Sequence, residues 1–199
     1  MLTDGYHDVP AGRLAMVVTH LEMHAKPAIT QVCLPDEITL RTVPSPTLDW
    51  YRDIYRRVGA DWLWFSRLEL SDADLAAIIH DPKVRIFTLS VDGQDEALLE
   101  LDFRQDGTCE LAFFGLTDAL IGKGVGRSFM THAIDVAWAA PIRLFYVHTC
   151  TLDSPQALSF YRRSGFTPMR QQIEIAPDNR IKGTAGFTRN HAPHVPIFD

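Results

Sequence analysis

The sequence predicts an α/β protein, layered as α+β: a mixed, mostly antiparallel sheet of six to seven strands with helices on both faces. Three observations carry that expectation. The β-rich runs Val84 to Val91, Ala97 to Phe103 and Thr108 to Leu116 are joined only by short turns marked Asp92-Gly93 and Asp106-Gly107, so they must pair antiparallel. A glycine-rich loop, Ile121-Gly-Lys-Gly-Val-Gly-Arg127, then leads into an amphipathic stretch from Val125 to Ala139. After it comes Leu144 to Cys150, which must lie parallel to the third run if the helix crosses over as a βαβ unit.

The remaining elements follow in order. Leu14 to Met23 is apolar and β-branched in its middle and reads as a strand; the connector after it, HAKPAITQVCLPDE, holds two prolines. Ile38 to Val43 alternates apolar and polar residues as a half-buried strand does. Ser45 reads as an N-cap and Pro46 as the first helical residue of a helix that buries Leu48, Tyr51, Tyr55 and Val58 and ends at Gly59. A second helix starts at Ser71, supported by Asp74, and buries Leu75, Ile78 and Ile79 before Pro82. Late in the chain Ser154 and Pro155 open a helix that Gly165 closes, and a last strand near Met169 to Ile175 returns antiparallel.

A chain of 199 residues fills one core and is short for two, so residues 1–199 are expected to form one domain, with 1–37 an N-terminal extension, 38–175 the core and 176–199 a tail. A hydrophobic fraction of 46% beside 22% charged residues excludes disorder as the main state. The net charge of −6 argues against a nucleic-acid partner and suits an amine. Cys33, Cys109 and Cys150 form neither a disulfide framework nor a zinc pattern. With no leader-like start and no long apolar run, a cytoplasmic protein without membrane contact is expected. His191 and His194 flank a proline in what reads as a solvated tail, so no metal is expected.

In the loop, glycines at a helix start free backbone N–H groups to face an anion, which the helix dipole also attracts. Gly122, Gly124 and Gly126 match neither the P-loop spacing nor the dinucleotide fingerprint, since Arg127 or Phe129 stands where the latter needs its last glycine.

Ile121-Gly-Lys-Gly-Val-Gly126 resembles the Q/R-x-x-G-x-G/A loop of GNAT-type N-acetyltransferases. Ser154-Pro-Gln-Ala-Leu-Ser-Phe-Tyr-Arg-Arg-Ser-Gly-Phe166 is similar to that family's N-x-x-A-x-x-x-Y-x-x-x-G-F segment. The resemblance runs from Arg85 to Phe166 and more faintly back to Ile38. It implies a V-shaped split between the fourth and fifth core strands, acetyl-CoA as acyl donor and, as an assembly compatible with it, a homodimer. By the same resemblance Phe114, Leu116, Ile121, Gly122, Lys123, Gly124, Val125, Gly126, Arg127, Ser154, Ala157 and Tyr161 hold the donor, with Tyr161 protonating the departing thiolate. Ile121 and Ser154 depart from the family's Gln/Arg and Asn, which shifts the phosphate contacts onto Lys123, Arg127 and backbone amides.

Acetyl transfer to an amine needs a base, an oxyanion site and an acid for the thiolate. Glu110, eleven residues before Ile121, matches the offset of the catalytic glutamate in the histone-acetyltransferase branch, and its apolar neighbours are expected to favour its neutral form. The alternative is a solvent-facing or arginine-paired carboxylate. Trp62 and Trp64 read either as core or as a wall of the acceptor site, and Glu100 and Asp102 either as ligands for a cationic substrate or as partners in cross-strand ion pairs. His148 and Cys150 share a sheet face, but no third group completes a covalent dyad. The expected activity is direct attack by a primary amine on acetyl-CoA in a ternary complex. The alternatives are a non-catalytic acyl-CoA-binding module and a transferase for another acyl group or acceptor.

Overall fold

The computed structural model describes residues 3–28 and 32–199, so the middle of the connector, residues 29–31, lies outside the described residues. The elements run β1 (Arg13–Met23), β2 (Ile38–Thr42), α1 (Leu48–Gly59), α2 (Asp72–Ile79), β3 (Val84–Val91), β4 (Gln94–Asp95), β5 (Ala97–Asp102), β6 (Thr108–Leu116), α3 (Val125–Trp138), β7 (Leu144–Cys150), α4 (Ala157–Arg163), β8 (Thr167–Pro177) and α5 (Asn179–Lys182). One sheet orders them β2-β3-β5-β6-β7-β1-β8, with β4 beside β3. Among the described residues only β6 and β7 pair in parallel.

Alternation sorts the strand residues between two helical layers. Phe87, Leu89, Leu99, Leu101, Leu111 and Phe145 meet Phe129, Ala133 and Ile134 of α3 on one face. On the other, Ile86 and Leu98 pack on Tyr51, Ile54 and Tyr55 of α1 and Leu75 and Ile79 of α2. Asp92 and Gly93 both take positive φ, as a two-residue hairpin requires.

Three expectations change. Helix α1 is capped two residues later than Ser45, by Thr47, whose hydroxyl accepts from the Trp50 amide at 3.2 Å. Helix α4 starts at Ala157 with no side-chain cap, leaving Ser154 and Pro155 in the preceding turn. The supposed N-terminal extension supplies β1, which lies inside the sheet between β7 and β8. The last strand returns antiparallel as expected, with β1 as its neighbour. Local alternation marks a strand but carries no information about which strand it joins.

The tail is also folded. Leu14, Met16 and Val18 of β1 pack with Phe187, Ala192 and Leu63 in a third apolar cluster. Arg180 is the nail that holds this segment. Its guanidinium is fully buried, pairs with Asp178 at 2.7 Å and donates to the carbonyls of Ala192 and Val195 at 3.1 and 2.9 Å.

Candidate active site

The sheet itself opens the site. Strands β6 and β7 pair only at Thr108↔Leu144, Cys109↔Phe145 and Glu110↔Tyr146, and beyond Glu110 they diverge. Here too β6 carries an irregularity against β5, since Glu100 pairs with Phe113 but Leu101 with Leu111, leaving Ala112 as an extra residue. The backbone of Leu111–Leu116 therefore faces a cleft of about 1470 Å³ lined by Phe113, Phe114 and Leu116 on one side and by Val147, His148 and Cys150 on the other.

The glycine loop forms the mouth. Gly122 and Gly124 adopt φ of +81° and +78°, a conformation that explains glycine there, and a Cβ on either would project into open space. Helix α3 starts directly after Gly124 with no side-chain cap, so its first amides lack intrahelical acceptors. Ile121, Gly122, Gly124, Gly126 and Arg127 line the cleft, as do Ser154, Ala157 and Tyr161 from the α4 segment. Phe160 stacks on Phe114 across it, with centroids 5.5 Å apart. Two expected ligands stand apart: Val125 points into the core and Lys123, though exposed, does not line the cleft.

Tyr161 is almost wholly buried, and burial, with Asp153 nearby, pushes its phenol well above the ordinary value, so it carries its proton at neutral pH. Glu110 sits where the split begins. Its carboxylate lies 3.5 Å from His148 Nδ1 and accepts from the Tyr146 hydroxyl at 3.4 Å. The hydrogen bond to Glu110 raises the His148 pKa against the opposing effect of burial. Tyr146, pushed up to about 12 by burial and by Glu110, stays a donor. The ring of His20 lies 5.8 Å from that of His148, while its Nε2 meets Gln172 Oε1 at 2.7 Å. The sequence singled out His148 but not its pairing with His20, because β1 and β7 are neighbours only in three dimensions.

Trp64 is fixed by four neighbours. It packs on Tyr55 and Phe113, its indole N–H donates to Asp153 at 3.1 Å, and it lies so close to Gly59 that a Cβ there would stand 2.5 Å from the ring. Asp153 also accepts from the Thr149 hydroxyl at 2.7 Å and the Cys150 amide at 2.9 Å, tying the aromatic segment to the end of β7. Trp62 and Trp64 both line the cleft.

Glu100 and Asp102 do not reach it. Glu100 is fully buried, accepts from the Tyr51 hydroxyl and pairs with Arg67 at 2.7 Å, while Asp102 is held by Arg104 at 2.6 Å. Nothing local in the sequence foresees that Arg67, arriving from a loop, covers Glu100. Cys150 lines the cleft, yet burial and Asp153 push its thiol up to about 11, which leaves it protonated and a poor nucleophile. Among the described residues no group of His, Cys, Asp and Glu side chains is arranged to hold a metal, and no helix is long and apolar enough to cross a membrane.

A split mixed sheet with a glycine-built helix start at its mouth is the fold that the sequence resemblance implies. The chain belongs to the acetyltransferase (GNAT) family, whose model matches residues 46–166, more than half of its length. The family uses acetyl-CoA as a substrate. A GCN5-related N-acetyltransferase from Sphaerobacter thermophilus is similar over 87% of this chain and 53% of its own, with TM-score 0.63 and 16% identity. A tandem GNAT protein from the clavulanic acid biosynthesis pathway matches over 86% of this chain and 54% of its own, with TM-score 0.58 and 15% identity. An aminoglycoside acetyltransferase from an uncultured soil metagenomic sample matches over 70% of this chain and 94% of its own, with TM-score 0.56 and 12% identity. At such identities the likeness is one of fold. The chain spans 53% to 62% of the length of several of the solved structures it matches, the first two named here among them. No curated protein matches it.

Proposed function

We propose that the protein transfers an acetyl group from acetyl-CoA to a primary amine by direct attack. The observation that carries this reading is the β6–β7 split, with the glycine-built start of α3 at its mouth and Glu110 where it begins. The loop amides and Arg127 hold the pyrophosphate, and the unpaired edge of β6 takes the pantetheine as a strand would be taken. An amide near Leu116 stabilises the oxyanion.

The amine nitrogen bonds to the thioester carbon as the carbon–sulfur bond breaks. Glu110, steadied by His148 and Tyr146, takes the ammonium proton before attack; Tyr161 then supplies one to the departing thiolate, and the second N–H proton, lost as the amide forms, restores the phenol. The acceptor side of the cleft, with Trp62, Trp64, Phe65, His148 and Glu174, suits a cationic amine with an apolar body. Thiol release from acetyl-CoA, followed across a panel of amines with product masses, tests the reaction; thiol release that no amine stimulates would sink it.

Two variants separate binding from loop strain. Gly124→Ala places a side chain at φ +78° and should raise the acetyl-CoA Kd about tenfold, by strain of about 1–2 kcal/mol and lost amide contacts. Gly126→Ala adds a methyl that meets only Leu116 at 3.6 Å and Phe160 at 3.9 Å, so it should bind as the wild type does. Equal calorimetric affinities for the two variants would remove the loop from donor binding.

Tyr161→Phe should leave acetyl-CoA affinity unchanged and slow turnover about 10- to 100-fold. A thioester of a more acidic thiol should rescue it selectively. If variant and wild type respond alike to thiol acidity, Tyr161 packs and does not donate.

A further inference from the structure

Strand β8 ends the sheet, and its outer edge pairs with no strand among the described residues. Every residue from Thr167 to Ile175 is exposed, including Met169, Ile173 and Ile175 at about half of their full accessibility. On the α3 side of the sheet Val17 and Ala15 of β1 lie in register with Ile173 and Ile175, which widens the apolar strip. An unguarded edge of this length is a pairing site, and folded proteins usually blunt one with proline, a bulge or a row of charges. Here the prolines, Pro168 and Pro177, and the bulge opposite His20 and Leu21 lie near the ends of β8 and leave Arg170–Ala176 regular.

The two charges inside that stretch are Arg170 and Glu174, and neither joins an ion pair among the described residues. They stand symmetrically about Gln172. If β8 pairs antiparallel with itself across a two-fold axis at Gln172, Arg170 falls opposite Glu174 of the partner subunit, and the symmetry repeats the pair. Gln171 then faces Ile173 of the partner subunit. Moving the axis to Ile173 would set Arg170 against alanine and Glu174 against glutamine, so the charges select one register. We propose that β8 is the interface of a two-fold homodimer, in which one sheet runs through both subunits and paired Arg170–Glu174 contacts fix the register.

The full chain in sedimentation equilibrium should give twice the 22.4 kDa chain mass. Arg170→Glu and Glu174→Arg should each raise the dimer Kd about tenfold or more by placing like charges opposite each other, while the double reversal should restore it. Both positions are exposed, so near-UV circular dichroism should show unchanged folding. Ile173→Lys provides a second route and should also yield monomer. A wild type that stays at 22.4 kDa up to about 100 µM overturns the interface, since that range covers the weakest specific dimers of interest. Failure of the double reversal to restore the dimer overturns the register, and with it the proposal.

Discussion

Replacing Arg180 by alanine should lower the melting temperature by roughly 6–20 °C, the shift expected in a chain of this size from about 3–5 kcal/mol when one partner of a buried ion pair is removed. The side chains of Arg180 and Asp178 are 0% and 2% exposed, so the stranded carboxylate would have no water to turn to. The guanidinium also satisfies carbonyls of His191, Ala192, Val195 and Pro196, and these would lose their donor together. The pH dependence follows from the Asp178 carboxyl, which the hydrogen bonds from Arg180 hold below the ordinary range. Stability from a depressed carboxylate is fully present above its unfolded pKa of about 3.9 and is lost as pH falls through the folded value. The gap between wild type and Arg180→Ala should therefore narrow below about pH 4. A variant melting within 2 °C of the wild type, by calorimetry at neutral pH, would mean that the tail is held by its apolar contacts alone (roughly the threshold of one kcal/mol).

Glu110→Gln keeps volume and hydrogen bonding but cannot take a proton. It should lower kcat about 100-fold and flatten the acidic limb of the kcat/KM profile. The geometry supplies a second outcome to read. Because the Glu110 carboxylate raises the pKa of His148, its loss returns the histidine toward its ordinary value. A limb that moves to lower pH with most of the rate retained would assign the proton to His148 and leave Glu110 as its positioning residue. A limb that does not move at all would exclude both.

The half of the fold around the hairpins was legible because turn chemistry fixes strand ends: Asp-Gly pairs bounded β3 and β6 to the residue. The split was legible only through resemblance, since no periodicity records where two strands part. Helix α1 was misplaced because Ser45-Pro46 and Pro46-Thr47 both look like starts; in the folded chain the Pro46 carbonyl meets His80 Nε2 at 2.9 Å and Thr47 takes the cap. In the site, the glycines were readable because a left-handed backbone nearly demands them. Glu100 was not, because its partner Arg67 lies 33 residues away in sequence, in a segment without period. The contacts of Asp153 with Trp64 and of His20 with His148 share that limitation, since each joins segments remote in sequence.

The position of β1 sets a kinetic condition on the fold. One of its flanking strands, β7, begins at Leu144 and the other ends at Pro177, so β1 leaves the ribosome long before either neighbour exists. At typical elongation speeds of roughly 5–20 residues per second, that strand waits about 6–25 s for its first partner. The hairpins from β3 to β6 can close in the meantime, because their contacts are local. The other half of the sheet must pay the loop-closure entropy of more than a hundred residues before any pairing rewards it, which makes the docking of β1 the natural slow step of folding.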